Sequence, residues 1–178
     1  MSDAARRLVL VRHAKSDYPW GVADHYRPLN DRGRRDAPEI GRWLDAHVTW
    51  EDDAAPLILV SSAQRAQLTW ALASERLSER WQGCTRRDEP RIYEASVTTL
   101  LGLVSAVPED VDTVIVVGHN PGLVDLIESR CVVDETYLAA IAKFPTSAVA
   151  VLTTDEDWPT ATGLESAFIV SAFAIPRG

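Results

Sequence analysis

Cysteine is scarce in this sequence. Only Cys84 and Cys131 occur in 178 residues, too far apart for a Cys-x-x-Cys redox pair and too few for a disulfide framework. Both are read as reduced thiols, with a single bridge between them as the alternative. Basic residues are also in deficit: 18 Lys and Arg against 26 Asp and Glu give a formal charge of −8. That balance opposes general affinity for DNA, RNA or an anionic membrane. A phosphate site here must be a small basic pocket on an acidic body. No stretch approaches the roughly 18 apolar residues of a membrane span. Leu8–Val11, preceded by Arg6 and Arg7, is too short for a signal-peptide core. A cytoplasmic protein with no membrane and no nucleic-acid partner is expected. The Gly-x-Gly-x-x-Gly, P-loop and Gly-x-Ser-x-Gly signatures are absent as well, which argues against dinucleotide, P-loop and serine-hydrolase chemistry.

What remains is an ordinary globular composition, with 46% hydrophobic and 25% charged residues, and a length that suits one domain over 1–178. Three short continuous apolar runs, Leu8–Val11, Pro56–Val60 and Thr113–Val117, read as strands covered on both faces. Between the first two, Ala37, Ile40, Gly41 and Leu44 recur at helix spacing, with Asn30 as N-cap. Further helices are expected over about 64–77, around Val97, Leu100, Leu101 and Val104, and over 121–129 with Pro121 in the first turn. Late strands are expected at 148–153 and 165–174, separated by a turn-rich loop at 155–159. The sum is an α/β layered domain with a mainly parallel central sheet. Trp20, Trp43, Trp50, Trp70 and Trp81 are assigned to the core or to partial burial, and Arg32, Arg34 and Arg35 to a solvent-facing helix side.

Ligands of such sheets bind beyond the carboxyl ends of the strands. There the sequence turns polar: Arg12-His13-Ala14-Lys15-Ser16 after the first run, Ser61-Ser62-Ala63-Gln64-Arg65 after the second, Gly118-His119-Asn120-Pro121 after the third. Two arginines, two histidines and a helix N-terminus suit a phosphoryl group, because guanidinium forks and free N–H donors both bind phosphate oxygens. They do not suit a dication, which wants three or four His, Cys or carboxylate ligands without arginines beside them. No metal and no cofactor are expected.

These segments, with Arg-Pro-Leu-Asn-Asp-Arg-Gly at 27–33, Ser-Ser-Ala-Gln-Arg-Ala-Gln-Leu-Thr at 61–69, Tyr-Glu-Ala-Ser at 93–96 and Val-Gly-His-Asn-Pro at 117–121, resemble the histidine phosphatase superfamily, and within it the small SixA-like phosphohistidine phosphatases. The resemblance implies a three-layer, phosphoglycerate mutase-like sandwich. It implies His13 as nucleophile, Arg12 and Arg65 as phosphate clamps and His119 as a second histidine on the phosphoryl oxygens, with Lys15, Ser16 and Asn120 lining the site. It implies a cofactor-independent phosphatase acting on a phosphorylated protein, through phosphohistidine, or on a small phosphorylated substrate. A phosphoglycerate mutase-like phosphotransferase and a non-catalytic phosphoprotein-binding module are the alternatives. Ala14 departs from the glycine that usually follows the histidine, which puts the local backbone in question. Glu94 stands where mutase-like relatives carry a general acid. The oligomeric state is left open.

Overall fold

In the computed structural model, which describes residues 5–50 and 54–178, the apolar runs become the interior strands of a seven-stranded sheet. Along the chain lie β1 (Arg6–Arg12), α1 (Asp31–His47), β2 (Leu57–Val60), α2 (Gln64–Ser74), β3 (Thr85–Asp88), α3 (Val97–Ser105), β4 (Thr113–Gly118), α4 (Gly122–Arg130), β5 (Cys131–Val132), α5 (Glu135–Ile141), β6 (Val149–Thr154), α6 (Trp158–Ala161) and β7 (Phe168–Ala174). The sheet order is β3-β2-β4-β1-β6-β7-β5. Strands β3, β2, β4 and β1 run parallel, β6 is antiparallel to both β1 and β7, and β5 pairs parallel with β7.

Strand side chains alternate between faces, and here both faces are covered. Val9 and Val11 of β1 pack with Ile115 and Val117 of β4 against Ile40 and Leu44 of α1 and Trp70 of α2. Leu8 and Leu10 pack with Val114 and Val116 on the opposite side, against α3, α4 and α6. The architecture is therefore the three-layer α/β sandwich.

Several expectations shift. Asn30 caps α1 as read, its side chain accepting from the Gly33 amide at 2.9 Å. Strand β2 starts at Leu57 and β7 at Phe168, and α2 stops at Ser74. Pro121 is the N-cap of α4 rather than a first-turn residue. The 155–159 loop contains the single turn α6, whose Trp158 is buried and donates its indole N–H to the Val111 carbonyl at 2.7 Å. Trp20 corrects the tryptophan assignment: it is fully exposed, on the β1–α1 connection, whereas Trp70 and Trp81 are buried and Trp43 and Trp50 partly so. Arg32, Arg34 and Arg35 are exposed as expected.

Close packing of α1 on α2 depends on Gly41. A Cβ there would lie 1.9 Å from the Ala73 carbonyl oxygen of α2, a backbone atom that cannot swing away. Gly41→Ala should therefore lower stability despite the helix propensity it adds, by about 1–3 kcal/mol, as overpacking does. Urea titration checks this; an unchanged or higher midpoint contradicts it.

Candidate active site

The sheet's parallel half brings the ends of β1, β2 and β4 to one edge, and backbone bonds lock them there. The His13 amide donates to the Gly118 carbonyl at 3.0 Å and the Ser61 amide to the Val117 carbonyl at 3.0 Å. The polar residues that follow surround a cavity of about 570 Å³. Arg12, His13, Lys15, Ser16, Arg65, Glu94, His119 and Asn120 all line it.

His13 is 7% exposed, and its Nδ1 lies 2.7 Å from the Ala14 carbonyl oxygen. A carbonyl can only accept, so Nδ1 carries the proton and Nε2 keeps its lone pair. That nitrogen accepts from Arg65 Nε at 3.3 Å. Arg65 is buried in the first turn of α2, where the helix dipole disfavours a cation. Its remaining nitrogens meet Asp24: NH1 donates to the backbone carbonyl at 2.7 Å and NH2 to Oδ2 at 3.0 Å. Thr69, one turn along α2, donates its hydroxyl to the Arg65 carbonyl at 2.6 Å and accepts the Ala14 amide at 2.9 Å. It thereby ties α2 to the chain just beyond His13. Ala14 is fully buried without a positive φ, so alanine costs the backbone nothing there.

His119 is buried with its ring centroid 5.0 Å from that of His13, and its Nε2 bonds Ser61 Oγ at 2.7 Å. Arg12 donates to the Phe144 carbonyl at 2.7 Å, and Asn120 Nδ2 shares that acceptor at 3.1 Å. Arg12 Nε, His119 Nδ1 and Asn120 Oδ1 are buried without a protein hydrogen-bond partner, and all three residues line the cavity. Buried polar atoms are normally satisfied, yet residues of the cavity wall keep three polar atoms without a protein partner. Lys15 is half-buried, while Ser16 is buried and its hydroxyl accepts from Arg27 at 2.5 Å. Glu94 is exposed with a φ of 54°, a backbone conformation uncommon outside glycine.

The sequence reading missed Asp24, Arg27, Tyr93, Ser61 and Thr69. Asp24 Oδ1 accepts from Arg27 at 2.7 Å and Oδ2 from the Tyr93 hydroxyl at 2.9 Å. Arg27 and Tyr93 lay inside motif blocks, and Thr69 lies at i+4 from Arg65 on a helix, a signal that was available. Asp24 had none.

A profile of the histidine phosphatase superfamily (branch 1) matches residues 8–121. The chain belongs to that superfamily. An uncharacterized protein from Mycobacterium tuberculosis is 37% identical over 152 residues, covering 83% of this chain and 89% of its own. A solved structure from Nakamurella multipartitia, assigned as a phosphohistidine phosphatase SixA, is 28% identical with a TM-score of 0.78 and covers 97% of each chain. The fold extends to a phosphoglycerate mutase from Plasmodium falciparum, 13% identical with a TM-score of 0.58 over 98% of this chain and 93% of that one. This histidine phosphatase is thus SixA-like in its branch and phosphoglycerate mutase-like in its architecture.

Electrostatics suit the superfamily's chemistry. Burial, the neighbouring His119 and then the Arg65 and Arg12 charges hold His13 well below the usual histidine value. Burial and Arg65 push His119 down to about 3. Asp24 is held well below the carboxylate range, first by Arg27, then by Tyr93 and Arg65.

A pH dependence of stability follows, with a definite sign. In the unfolded chain both histidines take up protons near pH 6.5, whereas the folded chain keeps them neutral, so acidification favours unfolding. Stability should fall as the pH drops from about 7 to about 4.5, before most carboxylates titrate. His119→Gln should flatten that slope. Denaturant midpoints across the range measure it, and an equal slope in wild type and variant contradicts the neutral, buried assignment.

Proposed function

We propose that this protein is a cytoplasmic, cofactor-independent phosphatase that forms a covalent phosphohistidine on His13, with a protein phosphohistidine as its principal substrate class. The observation that carries the reading is the His13 tautomer. Its proton is committed to the Ala14 carbonyl, so the Nε2 lone pair stands beside the Arg65 guanidinium in a polar cavity. Phosphate binding alone needs no such lone pair, and donors alone would serve a binding module.

In the first step His13 Nε2 attacks phosphorus in line with the departing atom, while Arg12, Arg65 and His119 hold the equatorial oxygens. Ser61 can donate to His119 Nε2, which leaves the proton on Nδ1, the buried atom without a partner. Water then attacks the phosphorus and restores His13. Lys15, Ser16 and Asn120 shape the wall, with Asn120 and Arg12 braced on the same carbonyl. Among the described residues no helix is long and apolar enough to cross a membrane. The Nakamurella likeness, at 28% identity over nearly the whole chain, supports the phosphohistidine class.

A second reading, a small phosphomonoester as substrate, is favoured by Glu94, which lines the same cavity and as the carboxylic acid would give its proton to a departing alkoxide, becoming the carboxylate. The leaving group separates the two.

His13→Ala should abolish turnover while leaving the thermal transition in place. Rapid alkaline quench of wild type with radiolabelled phosphosubstrate should trap label that the variant lacks. Vanadate should inhibit, because the site suits a trigonal-bipyramidal oxyanion. Substantial hydrolysis by a folded His13→Ala protein would remove the nucleophile assignment.

If Glu94 donates a proton, Glu94→Gln should slow alkyl phosphates by about 10²–10⁴-fold, nitrophenyl phosphate less and phosphohistidine least. Equal losses across the three would return Glu94 to a loop carboxylate.

A further inference from the structure

Among the described residues, Asp24 is the one carboxylate of the cavity wall paired with two arginines at once. Its side chain is about half exposed, and it lines the same pocket as His13. The groups that face it are Arg27 on its own segment, Arg65 from α2, Tyr93 and Glu94 from the loop before α3, His119 after β4 and its neighbour His25. A carboxylate offers about four lone-pair sites. Arg27, Arg65 and Tyr93 take three, and one remains for a donor in the cavity.

Arg65 spans the gap between nucleophile and carboxylate, with Nε on His13 and NH1 and NH2 on Asp24. His13 and the Asp24 carboxylate therefore lie at different nitrogens of the one guanidinium that would clamp a phosphoryl group. Resting on the phosphohistidine reading above, we propose that Asp24 is a specificity-determining residue that accepts the N–H of a protonated imidazole leaving group, favouring phosphohistidine over phosphate esters.

The chemistry balances without a proton from the enzyme. In a protonated phosphohistidine the ring nitrogen remote from phosphorus carries the proton, and the ring is cationic. As the His13 Nε2–P bond forms, the substrate N–P bond breaks and its electron pair returns to the ring. The ring then leaves as neutral histidine with the proton it brought. An anion at the remote nitrogen stabilises the reactive protonated ring. The same anion repels the negative oxygen that develops when an ester departs. Held anionic by its arginines, Asp24 is not the general acid.

Phosphoimidazole and nitrophenyl phosphate, each assayed from pH 6 to 9 with wild type and Asp24→Asn, test the role. Asparagine keeps an oxygen for Arg27 and loses the charge. The ratio of kcat/KM for phosphoimidazole to that for nitrophenyl phosphate should fall about tenfold in Asp24→Asn. The upper-pH limb of kcat for phosphoimidazole should move down by about one unit, the same free energy read as a titration in the bound complex. Using a ratio cancels damage to Arg65 or to folding, which slows both substrates together. A ratio unchanged within twofold, or a limb that stays in place, overturns the role and leaves Asp24 as a brace for Arg65. Wild type that cleaves nitrophenyl phosphate but not phosphoimidazole overturns the phosphohistidine reading itself, and this role with it.

Discussion

A guanidinium buried beside a neutral imidazole must find a counter-charge, since an unpaired buried ion costs on the order of several kcal/mol. In this protein that requirement falls on Arg65. Its side chain is 8% exposed, and the nearest histidine, held neutral, offers only a lone pair. Asp24 supplies the charge from 41 residues upstream, and Arg27 and Tyr93 hold Asp24 in turn. The β1–α1 connection is fastened to the pocket by this pairing, while Thr69 fastens α2 to the chain just beyond His13. His13, Arg65 and the cavity wall are thus positioned by one charge and the bonds that accommodate it.

The same economy explains how an acidic chain keeps an arginine-rich cavity. The formal charge is −8, yet Arg12, Arg27 and Arg65 converge on one cavity with Asp24 as a close partner. Concentrated in a partly dry pocket, those charges act at short range, where screening by salt is weakest. The two histidines stay neutral because burial disfavours their charged forms and a fourth and fifth cation would be repelled by the arginines already there. An arriving phosphoryl dianion changes that balance. Bound as proposed, it would meet the guanidinium donors and give His119 an anion beside it.

Much of this was legible in the sequence because strands covered on both faces read as unbroken apolar runs, and the polar residue after each run marks the edge where ligands bind. Arg12, His13, Arg65 and His119 come together for that reason. Elements without apolar patterning were not legible. Strand β3, Thr-Arg-Arg-Asp, is an exposed edge paired only with β2, and β5 is two residues long. Asp24 opens a single 3-10 turn, Asp24–Tyr26, in the β1–α1 connection, and only folding sets it against Arg65. Trp20 was assigned inward because tryptophan usually is, and nothing local marks a connection that carries it outward. Glu94 reached the cavity, but its unusual backbone angle could not be read from its neighbours.

The antiparallel strand shows how topology and chemistry are joined. A further parallel strand beside β1 would bring to the site the segment that follows it, as β2 and β4 do. Because β6 runs opposite to β1, with Val149 beside Val11, the chain entering β6 passes the pocket before it enters the sheet. That entry segment gives its Phe144 carbonyl to both Arg12 and Asn120, and its Ser147 amide bonds the His13 carbonyl at 3.2 Å. Phe144 and Ser147 adopt positive φ angles of 28° and 67°, conformations that cost a side-chain-bearing residue free energy and persist where surrounding contacts demand them. Phe144 is fully buried in the core formed with α3 and α4, so its ring anchors the turn from below while its carbonyl fixes Arg12 from above. The strain is local, and what it secures is the direction of the Arg12 guanidinium at the cavity wall.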